Sequence, residues 1–357
     1  MSLRLSQLAT RRCLSRAAEN SQQRWLERDT RQITLEGDSG IRGLGEAAPL
    51  PGFSPDSVEA CAAALTALDL RGIPERLAVG QSVLRELARA SSRLPKAVPA
   101  ARSALEGALL DLWARTAGVP AWALLANDTT VPAPRRVAAL LMGEPEQALE
   151  QAFEARSRGV TAFKLKIGRA RALERELAAF ENLRAKLGPI ADLRLDVNRA
   201  WSAAEARAHL RRFAEYDPEF VEEPCPLVEL PDQLSARLAL DESLTEVALD
   251  GARARFTAWG VRALILKPTL LGGISACCAW AQVAKECGAQ PILSHAFEGA
   301  LGLAVSATLA LCVGSEHAAH GLDLHGARLD HLQLPFFAAA QIRAWSEPGY
   351  GNLEFDP

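Results

Sequence analysis

The chain has 357 residues, 49% hydrophobic and 23% charged, enough to bury a large core in two domains or in one barrel with an attachment. A formal charge of -3 and a pI near 6.1 give no general attraction for nucleic acid or anionic membranes, and no apolar run reaches the roughly 18 residues that a bilayer crossing needs, so membrane insertion is not expected and a small molecule is the expected partner. Seven cysteines without CxxC spacing suggest neither a disulfide framework nor a zinc site and fit a reducing, cytoplasmic setting.

The first 24 residues carry arginines and few acids and lack the continuous apolar stretch of a secretory signal; they read as the start of the first domain, with a transit peptide as the alternative. From Trp25 to Ser54, patchy alternation around a Gly-Asp-Ser-Gly turn predicts a hairpin that runs into a Pro/Gly loop. Helices are predicted over Ser57–Leu70, Gln81–Ala90 and Pro99–Ala117, with Gly118-Val119-Pro120 as a stop. Residues 1–132 thus form an α+β region.

After "VPAPRR" short β-like runs alternate with amphipathic helical stretches, the pattern of βα units on a parallel sheet. The runs are Val137–Met142, Ala162–Ile167, Leu193–Val197, Phe220–Glu223, Leu238–Leu240, Ala263–Leu266, Gln290–Leu293 and a weak one near Glu316–Leu322. Eight repeats between residues 133 and 334 point to an α/β barrel, with an open doubly wound sheet as the alternative.

In such a barrel, reactive groups sit where strands end in loops at the C-terminal face. The second run carries Lys164 and Lys166, and the third, "LRLDVN", carries Arg194, Asp196 and Asn198. The fourth ends with Glu222 and Glu223, the fifth with Asp241 and Glu242, the sixth with Lys267, and the seventh with Ser294 and His295. From Lys166 the steps to Asp196, Glu222, Asp241, Lys267 and Ser294 are 30, 26, 19, 26 and 27 residues, each close to one βα unit. Successive strands therefore deliver these side chains to one rim.

Three carboxylates converging at one place repel one another unless a cation sits among them. Any one of them alone reads equally well as a helix cap or an arginine partner; three at repeat spacing do not. All-oxygen ligation by Asp196, Glu222 and Asp241 suits Mg2+, with Mn2+ as a substitute, and leaves room for a substrate carboxylate. Lys166 is placed to approach that substrate, and Lys164, about 6 to 7 Å away on the same face of the strand, adds positive charge that favours a neutral Lys166 able to act as a base. Taken alone, "KLK" also reads as a solvated edge strand, but that leaves its apolar partners and Lys267 unexplained. Lys267 is predicted on the opposite side of the barrel, giving the substrate an ammonium on each face. Gly272 and Gly273 permit close backbone approach, or form only a turn; the GxGxxG and Walker phosphate patterns are absent.

The ordered set "KLK", "LDVNRAW", "VEEPC", "LDES" and "LKPTLLGG" resembles the enolase superfamily, in its muconate-lactonizing-enzyme-like subgroup, over nearly the whole chain. The resemblance implies an α+β capping domain over residues 1–132, completed by 335–357, and a (β/α)7β TIM-like barrel over 133–334. It implies Mg2+ held by Asp196, Glu222 and Asp241, and acid/base roles for Lys166 and Lys267. "GLGEAAPLPGFS", "RLDVNRAW", "EEPC" and "GLDLHG" look most like the subgroup's dehydrating synthases. These imply loss of water from a succinyl-hydroxycyclohexadiene carboxylate, with proton removal by Lys166, an enediolate stabilised by Lys267, and a capping loop that contacts substrate through Gly52 and Phe53. "PLPG" is otherwise an ordinary turn. Arg194, Asn198, Glu242, Gly273, Ser294 and His295 are supporting or substrate-contact candidates, and His295 departs from the serine- or glycine-rich synthase pattern. Two alternatives stand: a dipeptide epimerase or N-succinylamino acid racemase, which usually carries an Asp-x-Asp pair where this chain has Asp323, Leu324 and His325, and an inactive barrel with a binding or structural role. The sequence leaves the oligomeric state open.

Overall fold

Alternation near the N-terminus builds a three-stranded antiparallel sheet of β1 (Arg4–Glu19), β2 (Arg24–Glu36) and β3 (Arg42–Ala47). β1 and β2 pair from Arg4↔Glu36 to Glu19↔Arg24, so the first stretch is part of the sheet, and Gly40 N donates to Gly37 O at 3.0 Å in the turn before β3. This is a computed structural model that describes residues 3–19, 23–78, 80–169, 172–230, 237–323, 334–338 and 340–353.

Helices α1 (Val58–Thr66), α2 (Val83–Ser91) and α3 (Pro99–Ala117) follow, and α3 is buried over almost its whole length. Two glycines of β3 let it approach α3 closely: a Cβ on Gly43 would overlap the Ala108 carbonyl oxygen, and one on Gly45 that of Ala104. Pro99 opens α3 at a position that needs no N–H donor, and Gly118, left-handed at φ 69°, closes it. The expected stop is then followed at once by an extra short helix, α4 (Ala121–Ala126). Pro120 ends one helix yet, with φ -62°, is pre-set to begin another.

The barrel follows. After β4 (Arg135–Arg136), the elements are β5 (Ala138–Leu141), α5 (Ala148–Ser157), β6 (Ala162–Lys166), α6 (Leu173–Leu187), β7 (Asp192–Asp196), α7 (Ala203–Phe213), β8 (Phe220–Glu222) and β9 (Leu238–Leu240). They continue with α8 (Leu249–Ala258), β10 (Val261–Leu266), α9 (Pro268–Leu271), α10 (Ile274–Glu286), β11 (Gln290–Leu293) and α11 (Ala300–Cys312). β5 to β11 form one parallel sheet in sequence order, each strand pairing with the next.

The weak eighth run shrinks to two parallel bridges, Val137↔His320 and Ser294↔Gly321, which close β11 back onto β5. Ala138 N donates to His320 O at 2.8 Å and Gly321 N to Leu293 O at 2.9 Å. The buried His320 ring supplies part of the missing ladder: Leu293 N donates to Nδ1 at 3.0 Å, and Nε2 meets Ser315 O at 3.0 Å. Burial lowers its pKa to about 3, so the ring is neutral and can take this role.

One apolar core runs from the capping helices into the β9–β11 and α8–α11 side of the barrel, and a second lies under α5 to α7. The short strand β12 (Phe337–Ala338) pairs with β13 (Gln341–Ile342), which pairs with β4, after which the chain returns to the capping helices. There Trp122 Nε1 donates to Trp345 O at 2.9 Å and the buried Tyr350 hydroxyl to Gly107 O at 3.0 Å. All seven cysteines are free, and among the described residues no helix is long and apolar enough to cross a membrane.

The contact between β3 and α3 is directly testable. Gly45→Ala should cost about 1–3 kcal/mol of stability through overpacking, read as a lower urea midpoint; an unchanged midpoint would show that the sheet and helix can part at no cost.

Candidate active site

Parallel strand order brings the polar strand ends to one face of the barrel. Lys166 lies beside Asp196, and Asp196 beside Glu222, across β6, β7 and β8. Asp241, Lys267 and Ser294 are the residues that immediately follow β9, β10 and β11. Lys166 and Lys267 therefore come from strands on opposite sides of the barrel.

Asp196, Glu222 and Asp241 are all buried, and each meets an ammonium. Lys164 Nζ donates to both Glu222 oxygens at 3.1 Å and lies 2.9 Å from Asp196 Oδ2. Lys166 Nζ lies 2.7 Å from the same Asp196 oxygen and donates to Asn198 Oδ1 at 2.6 Å. Lys267 donates to Asp241 Oδ2 in a short charged contact. Burial disfavours the charge on Asp196, but Lys164 and Lys166 outweigh it and hold its carboxyl well below the usual range. Glu222 goes the other way: burial, reinforced by the Asp196 charge, raises it to about 8 despite Lys164. Burial also raises Asp241, with Lys267 opposing. Both Lys164 and Lys267 stay charged, because their carboxylate partners overcome the cost of burial.

A second layer orients these groups. Asn198, in the left-handed region at φ 48°, donates through Nδ2 to Glu242 Oε1 at 2.9 Å, so Lys166, Asn198 and Glu242 form a line. Burial, then the neighbouring Glu223 charge, raises Glu242 to about 7. Glu223 accepts from Asp241 N at 2.8 Å, Ser243 N at 2.9 Å and Arg199 Nε at 2.8 Å, and so fixes the turn that aims Asp241. Sequence reasoning gave neither Glu223 nor Arg199 a role. The doubled acid of "VEEP" and the arginine of "LDVNRAW" were the available signals.

A cavity of about 60 Å³ opens over the rim, lined by Lys164, Lys166, Glu222, Lys267, Ser294, His295 and Arg194, with apolar walls from Leu140, Phe220, Ile265 and Phe297. Arg194 sits one layer below Asp196, stacks 4.7 Å from the Phe220 ring centroid and donates to Glu219 Oε2 at 2.6 Å and Ala319 O at 2.8 Å. Ser294 Oγ donates to Gly321 O at 3.2 Å. His295 accepts from Phe297 N at 3.0 Å through Nδ1 and uses Nε2 on Asp323 O at 2.8 Å; burial lowers its pKa to about 4. Both ring nitrogens are thus committed to backbone, which makes this histidine a loop pin.

Phe53 lies over Lys267, with Nζ 5.0 Å from the ring centroid. The two glycine candidates are placed differently from expectation. Gly52, at φ 73°, packs against the Gln23 amide, where a Cβ would clash. Gly273, at φ 110°, packs against Glu106, whose carboxylate accepts from Ser275 N at 2.8 Å; it serves the junction of cap and barrel, away from the cavity lining. In "GLDLHG", Leu324 and His325 lie outside the described residues.

The Enolase C-terminal domain-like family matches residues 147–355, and the mandelate racemase / muconate lactonizing enzyme N-terminal domain family matches residues 26–126. The chain belongs to the enolase superfamily. It is 29% identical over 343 residues to the o-succinylbenzoate synthase of Citrobacter koseri, covering 89% of each protein. It is 32% identical over 212 residues to that of Thermobifida fusca and 33% over 230 residues to that of Thermosynechococcus vestitus, matches that span only 65% and 61% of those proteins. Among solved structures, the L-Ala-D/L-Glu epimerase of Bacillus subtilis superposes with a TM-score of 0.82 at 21% identity, covering 98% of this chain and 97% of that one. Muconate lactonizing enzyme of Pseudomonas fluorescens superposes with 0.82 at 23% identity, covering 99% and 96%. At such identities these two share the fold.

The donor set is of the kind that a hard divalent cation takes: buried oxygens from three successive strand ends, with Asp196 Oδ2 lacking any hydrogen bond of good geometry although two ammonium groups approach it. Among the described residues, no three acidic, histidine or cysteine side chains stand in a metal-holding arrangement, and each of the three carboxylates has a lysine contact.

This electrostatic balance has a pH signature. Glu222 is raised from 4.5 to about 8, so without metal the folded state holds a proton that the unfolded chain has lost, and stability falls as pH rises towards 8. His295 and His320 act in the opposite sense only below about pH 6.5, since their folded values lie near 4 and 3. The thermal midpoint of the chelator-treated protein should therefore drop between pH 6.5 and 8, and added Mg2+ should restore more at pH 8. A flat profile with and without Mg2+ would count against a cation among these carboxylates.

Proposed function

We propose that the protein is an o-succinylbenzoate synthase, a lyase that removes water from 2-succinyl-6-hydroxy-2,4-cyclohexadiene-1-carboxylate to give 2-succinylbenzoate in menaquinone biosynthesis. The observation that carries the reading is the pair of lysine amines on opposite sides of the barrel, flanking three buried carboxylates from successive strand ends. Similarity to synthases of that name over most of the chain supports it.

Asp196, Glu222 and Asp241 would hold Mg2+, which when bound supplies positive charge to the substrate carboxylate. The rest falls to the chain's own groups. Lys166, aligned by Asn198, takes the proton beside the carboxylate, and the electron pair passes into an enediolate. The ring carbon–oxygen bond then breaks, and the leaving hydroxyl takes the same proton back from the Lys166 ammonium on the same face, so that one water departs and the ring becomes aromatic. Lys267 stays protonated and stabilises charge that exists only after proton removal, while Phe53 covers it from the capping side.

The test is incubation of the purified protein with Mg2+ and this substrate while following the aromatic product. Lys166→Ala should cut turnover by about 10³-fold or more with an unchanged circular dichroism spectrum, and a variant that turns over normally would remove Lys166 as the base. Lys267→Ala should cost about 10²–10³-fold in kcat. Exchange of the α-proton of an N-succinylamino acid or a dipeptide in deuterated water, without aromatic product from the cyclohexadiene, would instead identify a racemase or epimerase.

A further inference from the structure

Between the capping sheet and the barrel lies a buried charge cluster that none of these steps uses. Arg28, on β2, is 0% exposed. Its guanidinium donates to Ala48 O at 2.7 Å, Pro49 O at 2.8 Å and, through Nε, Phe297 O at 3.3 Å. The first two carbonyls open the capping loop that places Phe53 over Lys267. The third belongs to the loop after β11, whose Ser294, His295 and Phe297 line the cavity. One planar group therefore holds both walls of the site.

The surroundings are built to keep it there. Arg12 adds a second donor to Phe297 O at 3.0 Å. Phe297 itself is held at φ 60°, a backbone state that a residue with a side chain keeps only where its neighbours enforce it. Glu46, on β3, accepts from Gly299 N at 3.0 Å and Gly302 N at 3.1 Å at the start of α11, and Glu298 accepts from Ala296 N at 2.6 Å. Burial lowers the Arg28 pKa to about 10, with Glu298 and Glu46 supplying countercharge, so the cation persists at neutral pH. Its donors point along fixed directions of a rigid fork, which a lysine ammonium cannot reproduce.

We propose that Arg28 is a positioning residue that sets the width of the substrate cavity by fastening the 48–53 and 294–299 loops to a single guanidinium. This rests on the reading of that cavity as the substrate site. The test compares Arg28→Lys and Arg28→Met with the unaltered protein in two measurements: steady-state kinetics on the cyclohexadiene carboxylate, and amide hydrogen exchange. Both variants should raise KM by about tenfold or more while kcat changes less, since substrate placement is lost and the acid/base groups stay. Exchange should quicken in segments 48–54 and 294–302 and stay at the wild-type rate in α3. The proposal is overturned if a folded variant keeps wild-type KM and loop protection, or if lysine restores both, since charge without the fork would then suffice. Should the methionine variant fail to fold, the lysine variant decides. If the unaltered protein does not dehydrate the substrate, the functional reading fails, while the exchange comparison still tests whether Arg28 joins the loops.

Discussion

The site is governed by the cost of burying like charges together. Asp196 and Glu222 are neighbours in parallel register and Asp241 follows the next strand, so that three acidic side chains are buried close together, out of bulk water. Everything near them answers that constraint: Lys164 bridges two of the carboxylates, Lys166 leans on Asp196, and Lys267 on Asp241. The same excess of negative charge keeps Lys164 and Lys267 protonated in spite of burial.

A second theme is the way in which the capping domain grips the barrel. Glu46 meets backbone N–H groups at the start of α11, and Glu106 meets those at the start of α10, where unpaired donors and the helix dipole favour a carboxylate. α11 follows the loop that carries Ser294 and His295, and α10 follows α9, the short helix that opens immediately after Lys267. Asp111 acts likewise within the cap, accepting from Leu44 N at 3.0 Å and Tyr350 N at 2.8 Å. The barrel helices beside the rim are thus tied to the cap by buried carboxylates that accept from their backbone N–H groups.

Much of this was legible beforehand. Seven barrel strands fall within a few residues of their expected places, because each is a short apolar run between a helix and a polar end. Lys164, Lys166, Asp196, Glu222, Asp241 and Lys267 converge because their spacing equals the length of a βα unit. The eighth strand was faint because a histidine ring replaces part of its ladder, which no alternation pattern records. Helix α4 was hidden by a Gly-Val-Pro sequence that serves equally as an end and a beginning. Gly273 resembled a ligand cradle but is small to admit Glu106, a neighbour 167 positions earlier in the chain.

By itself the sequence determined the repeat, the chemical kind of each strand end and the family, since these depend on local periodicity and on residue order along the chain. Only the tertiary structure decided which groups were spent on architecture. His295 carries the polar ring of a catalyst but gives both nitrogens to backbone, whereas Arg28, distant in sequence from every motif, reaches two loops at once. Hydrogen-bond partners are set by which backbone groups the fold leaves unpaired, and that is known only after the capping sheet has been laid against the barrel.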